Sequence, residues 1–401
     1  MAAQPIVTFS SIDWDYVWQG HQEVMTRLAQ AGHPILFVEN TGLRRPRLSD
    51  WSRIRRRAAT LARSSSDRTP TVPGLEILPP KILPFPYSST AVMVNRRLLE
   101  PAIRNWIARH DGPPIVWTYL PTPLVHALAA RLSPALLVYY CVDDLPASSD
   151  LARAIIPSEN EMFRVADLVF VTSQKLRAKA LQHRAVVDVF PPGVAYERFE
   201  AVRTNPPPPR PDVSGLGRPI VAYVGGLHRW FDVSLLQKTV ALLPDVQFLL
   251  IGPATAPVDS LAALTNVHLI GARRHEDVPA YLAHADAAIV PYVLDDYTAS
   301  VFPTKLVEYL AMGLPVVSTA VPEVVAFRSR HGDLVDIAST PDAFAAGIRR
   351  ALVPQSPAAR QARVSVAANE SWGVRVAGMR EQIRLALAQK PRRQPGRTTL
   401  A

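Results

Sequence analysis

A single cysteine, Cys141, in 401 residues rules out an intrachain disulfide framework and fits a reducing compartment. Cys141 sits in an apolar run, and nothing around it supports a nucleophilic role. Long hydrophobic runs are also missing, since no stretch reaches the roughly 20 apolar residues that a bilayer span needs. Pro5-Ile6-Val7-Thr8-Phe9 opens as an apolar strand with no charged leader or cleavage pattern before it, so the expected location is cytoplasmic. No Asp-x-Asp triplet lies at a convincing strand end, and neither a metal nor another cofactor is expected.

Charge is present but unevenly placed. Two segments hold more than the whole net charge of +10, and the remainder of the chain is close to neutral. Residues 44–68 hold nine arginines against Asp50 and Asp67, and residues 372–401 hold seven Lys or Arg against Glu381. Trp51, Ile54, Ala58 and Leu61 recur at helical spacing among the arginines of the first segment. Two readings stand for it: a basic amphipathic helix lying on an anionic membrane surface, or an exposed helix that touches only water. Nucleic acid is not an expected partner, because the charge is confined to one helix and a tail, with little aromatic interleaving.

Short apolar runs alternate with helical stretches, which predicts an α/β chain of two doubly wound, Rossmann-like domains facing a cleft. The first set of strands is Ile6 to Phe9, Ile35 to Val38, Ile115 to Tyr119, Leu136 to Val142, Leu168 to Thr172 and Val186 to Phe190. The second is Ile220 to Val224, Val246 to Ile251, Val267 to Ile270, Ala287 to Val290 and Pro315 to Ser318. The expected organisation is an N-terminal domain over 1–200, a proline-rich linker over 201–218 acting as a stiff hinge, a C-terminal domain over 219–370, a last helix over 371–389 and a disordered tail over 390–401.

In such sheets ligands bind beyond the carboxyl ends of the strands. The segment Asp295 to Pro322 reads as a loop, a short helix, a turn at Gly313 and a buried strand. Lys305 and Glu308 lie three residues apart and so share one face of that helix. The helix start at Thr304 offers unpaired amides to a diphosphate, which Lys305 neutralises, while Glu308 is placed to accept from ribose hydroxyls. The competing view is an ordinary surface pair of Lys305 with Glu308, with Pro303 opening the helix at its first position. Gly225 and Gly226, after the strand Ile220 to Val224, let backbone amides approach a phosphate or form a structural turn; they do not make Gly-x-Gly-x-x-Gly. Asp143 and Asp144 end an apolar strand, where a carboxylate either handles an acceptor hydroxyl or caps the next turn. His21 opens the first long helix, as an acceptor-side group or a surface histidine.

The order Asp295-x-x-Thr298, Pro303-x-Lys305-x-x-Glu308-Tyr309-x-Ala311-x-Gly313 and Pro315-Val316-Val317-Ser318-Thr319 resembles the donor-binding segment of glycosyltransferase family 4. Trp18-Gln19-Gly20-His21-Gln22, Val38-Glu39-Asn40, Tyr140-Cys141-Val142-Asp143-Asp144, Pro191-Pro192-Gly193-Val194 and Tyr223-Val224-Gly225-Gly226-Leu227 resemble its branch of teichuronic-acid-type enzymes, and the likeness covers most of residues 5 to 385. The resemblance implies a GT-B fold and a metal-independent enzyme, retaining in outcome, that moves a sugar from a nucleoside diphosphate sugar to a saccharide or lipid-linked acceptor, in the cytoplasm or peripherally on the inner face of the cell membrane. It implies that Gly225, Gly226 and His228 or Arg229 meet the donor diphosphate and that Arg273 lies where the base is enclosed, with plain solvated charge as the favoured competing view of Arg273. One position departs from the family: Ser300 stands where the first of two glutamates is usual, so Thr298, Asp295 or backbone amides inherit its donor contacts. Two other readings remain beside transfer: a catalytically weakened GT-B partner protein, and a nucleotide-sugar epimerase.

Overall fold

Runs of Val, Ile, Leu and Phe without polar alternation are buried on both faces, and such strands pair in parallel between layers of helices. In the computed structural model, residues 3–16, 18–42, 72–148 and 150–390 are described. The basic segment 44–68 and the tail beyond Lys390 lie outside them. The chain divides into two units, one made of Met1–Val171, Leu176–Phe190 and Val376–Ala401, the other of Thr172–Lys175 and Pro191–Arg375.

The first unit holds seven strands: β1 Ile6–Phe9, β2 Ile35–Val38, β3 Leu75–Leu78, β4 Ile115–Thr118, β5 Leu136–Cys141, β6 Leu168–Val171 and β7 Asp188–Val189. They form one parallel sheet in the order β3-β2-β1-β4-β5-β6-β7. Ile6 pairs with Ile35 on one side and Ile115 on the other, so the winding direction reverses between β1 and β4. The second unit holds β8 Ile220–Val224, β9 Gln247–Ile251, β10 Val267–Gly271, β11 Ala287–Val290, β12 Val316–Ser318 and β13 Val335–Ile337, in the parallel order β10-β9-β8-β11-β12-β13. Here the reversal falls between β8 and β11. These two points, β1/β4 and β8/β11, are where doubly wound sheets open a crevice for ligands.

Three expectations need correction. Each sheet carries an edge strand absent from the expected sets, β3 and β13, because both are three or four residues long and interrupted by an acid, Glu76 or Asp336. The proline-rich stretch is not a free linker, since Pro191 onward belongs to the second unit. There His284 Nε2 lies 2.9 Å from the Pro207 carbonyl, and Arg210 pairs with Asp277 at 2.6 Å. Lys390 is also held, by the Ala135 carbonyl at 2.9 Å and Asp167 at 2.7 Å. The last helix runs Trp372–Gln389, and its residues from Val376 group with the first unit. Among the described residues no helix is long and apolar enough to cross a membrane.

Candidate functional site

At the β8/β11 reversal the chain must pass two backbone segments very closely. Gly225 has φ +145° and donates to the Ile251 carbonyl at 2.8 Å; a Cβ there would stand 2.6 Å from Lys305 Cε. Glycine therefore makes the space that Lys305 fills. Lys305 Nζ donates to the Tyr292 hydroxyl at 2.5 Å and lies 5.1 and 5.5 Å from the centroids of the Tyr292 and Tyr223 rings. Tyr223 is tied down in turn, its hydroxyl donating to the Gly226 carbonyl at 3.0 Å. Among the described residues no carboxylate lies within ion-pair range of Lys305, so this half-buried ammonium has aromatic faces and a phenol around it but no counter-charge.

His228 packs beside the same cluster, its ring 6.4 Å from Tyr292, and a Cβ on Gly226 would touch its Cδ2 at 3.1 Å. Burial, and then the Lys305 charge, hold its pKa below the usual histidine value. Arg229 turns elsewhere, its guanidinium 4.4 Å over the Trp230 ring, which stacks on Tyr297 at 3.9 Å. Of the two residues offered by the sequence, His228 is the one beside Lys305.

The helix Thr304–Ala311 begins here, with Pro303 as its N-cap rather than its first residue and Thr304 half-buried in the first turn. Lys305 and Glu308 do share a face but do not pair with each other. Glu308 is 7% exposed, and its Oε1 lies 2.8 Å from His275 Nε2. The surface-pair view of these two residues is therefore overturned.

Three expected donor residues are otherwise engaged. Arg273 pairs with Asp212 at 2.8 Å and donates to the Tyr281 hydroxyl at 2.8 Å, so it is not plain solvated charge. Thr298 is 1% exposed and locked in a reciprocal turn: its amide donates to Asp295 Oδ1 at 2.8 Å, the Asp295 amide to its Oγ1 at 3.0 Å, and its hydroxyl to the Val293 carbonyl at 2.7 Å. That turn shapes the loop and engages the Thr298 hydroxyl, while Asp295 stays exposed with only Oδ1 used in the turn. Ser300, at the departing position, is buried and donates to the Tyr297 carbonyl at 2.7 Å.

In the first unit, the β1/β4 reversal is bordered by Ser11, His21 and Tyr119. His21 is buried rather than a surface residue; its Nε2 lies 2.9 Å from Ser11 Oγ and its ring 4.2 Å from that of Tyr119. Burial lowers its pKa to about 3, so the ring is neutral at ordinary pH. Asp144 is bound to Lys179 at 2.8 Å, and Lys179 also meets the fully buried Glu159 at 2.7 Å. Tyr139 donates to the other oxygen of Glu159 at 3.0 Å. Asp144 thus anchors a loop, while the Asp143 carbonyl accepts a weak bond from the Cys141 thiol at 3.6 Å. Burial, with Glu159 nearby, pushes the Cys141 thiol well above its ordinary range, which removes it as a nucleophile.

The residues that sequence reasoning missed are Tyr223, Tyr292, Ser11, Glu159 and Lys179. Tyr292 and Ser11 follow strands closely enough for the strand-end rule to reach them; a glutamate and a lysine on amphipathic helices give no such sign. Among the described residues no cluster of His, Cys, Asp and Glu has a metal-binding arrangement.

Residues 218–353 match the family of glycosyl transferases group 1. The chain is 32% identical over 183 residues to TuaH of Bacillus subtilis (strain 168), a protein whose name assigns it to teichuronic acid biosynthesis as a glycosyltransferase; the match spans 43% of this chain and 46% of TuaH, less than half of that relative. Among solved structures, sucrose-phosphate synthase (tll1590) from Thermosynechococcus elongatus superposes with a TM-score of 0.67 at 19% identity, covering 96% of this chain and 100% of that one. Anabaena Alr3699/HepE in complex with UDP superposes with a TM-score of 0.65 at 13% identity, covering 95% and 100%. The fold is that of the GT-B glycosyltransferases.

Proposed function

We propose that this chain, which carries a group 1 glycosyl transferase domain on the GT-B fold, moves a sugar from a nucleoside diphosphate sugar to an acceptor hydroxyl in the synthesis of a surface polysaccharide or glycolipid. The observation that carries this reading is Lys305, an ammonium with no counter-charge among the described residues, held against Gly225 at the reversal point of a parallel sheet. A dianionic diphosphate matches that uncompensated charge, and the helix start at Thr304 adds unpaired backbone amides. Gly225, Gly226 and His228 complete the wall around it. Glu308 then receives the ribose, three residues along the same helix face. Solved relatives of this fold were captured with UDP and with UDP-glucose, which supports a nucleotide-sugar donor.

Leaving-group stabilisation in this reading comes from Lys305 and backbone amides, with no cofactor besides the donor, and the expected outcome is retention as in family 4. On the acceptor side a histidine with a pKa of about 3 is a weak base, so His21 orients the acceptor while Asp143 is the carboxylate placed to meet its hydroxyl. Arg273, through Asp212 and Tyr281, stiffens the loop that borders the base. The acceptor is a saccharide or lipid-linked saccharide, met in the cytoplasm at the inner face of the membrane, with residues 44–68 as the docking segment. Ser300 favours one second reading, a GT-B partner that binds donor without turnover.

The test is a thermal-shift and calorimetric panel of UDP, GDP, ADP, dTDP and CMP on the wild type, Lys305→Ala and Glu308→Ala. One diphosphate stabilises the wild type, and each substitution weakens it about tenfold or more, the loss expected for a charge-assisted contact. No binding by any nucleotide would remove the reading. Binding with no sugar transfer to any acceptor would leave the partner reading in its place.

A further inference from the structure

Glu308 is nearly buried, and an ionised carboxylate in that position needs donors. Among the described residues neither lysine nor arginine supplies one. Its one side-chain partner among the described residues is His275, on the 3-10 turn His275–Asp277 just after β10. That turn is itself pinned, because Asp277 pairs with Arg210 at 2.6 Å and Arg274 at 3.0 Å, and its amide donates to the Arg274 carbonyl at 2.9 Å. On the far side of the imidazole, Arg198 Nη1 lies 3.4 Å from Nδ1. A guanidinium can only donate, so Nδ1 accepts, and the proton of the neutral ring resides on Nε2, pointing at Glu308 Oε1.

We infer that His275 is a positioning residue for recognition of the donor ribose: it fixes Glu308 through Oε1 and leaves Oε2 to accept from a ribose hydroxyl. A lysine or arginine there would neutralise the carboxylate and compete for both oxygens; a neutral imidazole occupies one oxygen and keeps the negative charge available. The Glu308 rotamer is thereby set before donor arrives, which lowers the ordering cost of binding. The inference rests on the proposed ribose contact of Glu308.

The test is a cycle between protein and ligand. UDP, GDP and ADP, with their 2′,3′-dideoxy counterparts, are titrated calorimetrically into the wild type, His275→Ala, His275→Gln and Glu308→Ala. For the nucleotide that binds, His275→Ala weakens the ribo form about tenfold and leaves the dideoxy form unchanged, as expected for one ordered hydrogen bond. His275→Gln, whose carboxamide N–H can reach the same oxygen, recovers most of the loss. In turnover, the donor KM rises in His275→Ala while kcat holds. Equal weakening of ribo and dideoxy forms would reduce His275 to a structural support and overturn the inference. An unchanged ribo preference in His275→Ala, alongside its loss in Glu308→Ala, would sink the inference but keep the donor site. If Glu308→Ala also kept the preference, or if no diphosphate bound the wild type, the ribose contact would fall and the inference with it.

Discussion

A histidine sealed between Ser11 and Tyr119 has one consequence that can be measured without any substrate. Burial holds the folded-state pKa of His21 at about 3, below the ordinary 6.5. As pH falls through 6.5 the unfolded chain takes up a proton that the folded chain refuses, so the contribution is absent above pH 6.5 and grows as destabilisation between 6.5 and 3. At pH 5 it amounts to about 2 kcal/mol, from about 1.4 kcal/mol per unit. Urea unfolding at pH 7.5 and pH 5 is therefore expected to show a smaller acid loss in His21→Asn than in the wild type. An identical loss in both proteins would mean that His21 is solvated in solution. The same neutrality means that a rate limb near pH 6.5 does not arise from His21, and the limb persists in His21→Asn.

Loops at strand ends depend on helices behind them. Lys179, on the helix Gln174–Leu181, joins the Asp144 loop to Glu159, on the helix Ile156–Val165. Burial pulls the Lys179 pKa down, but Glu159 and Asp144 outweigh it and the ammonium is held charged. Lys179→Met leaves a fully buried carboxylate with only the neutral Tyr139 hydroxyl and a weak contact from the Cys141 thiol among the described residues, at an expected cost of about 3 kcal/mol. Denaturant unfolding reads this loss, and Lys179→Met with Glu159→Gln restores part of it; no change in the single variant would show that water reaches Glu159. This network was not legible in the sequence, because paired charges on helices look like solvated ones. The strand bounds were legible where an apolar run stops or starts at a turn residue, as at Gly225 and Pro315, and illegible where the strand is short and carries an acid, as at Asp336. The helix face bearing Lys305 and Glu308 could be read from spacing alone, whereas their separate partners, Tyr292 and His275, lie on segments that follow β11 and β10 and meet the helix Thr304–Ala311 only in the folded chain.

Across the whole molecule, two doubly wound parallel sheets were readable from eleven apolar runs, and the order of short motifs resembled a GT-B chain, whereas the strand order that sets each reversal was not readable. The same composition misled at 205–211, where seven residues with five prolines suggested a hinge; contacts of Pro207 and Arg210 instead fasten the segment to the second unit. The chain passes between units at Val171 and Thr172, at Lys175 and Leu176, at Phe190 and Pro191, and at Arg375 and Val376. Nearby, Val194 and Ser371 form a parallel bridge, with the Val194 amide donating to Glu370 at 3.2 Å and that of Trp372 to Val194 at 3.0 Å. Within the second unit, the β8/β11 reversal presents Lys305, an ammonium with no counter-charge among the described residues. The most direct measurement is the affinity of a nucleoside diphosphate relative to the monophosphate of the same nucleoside, by calorimetry, in the wild type and Lys305→Ala. A wild-type preference for the diphosphate of about tenfold or more, lost in Lys305→Ala, is the predicted result. The same preference in both proteins would contradict the assignment of Lys305 to the diphosphate.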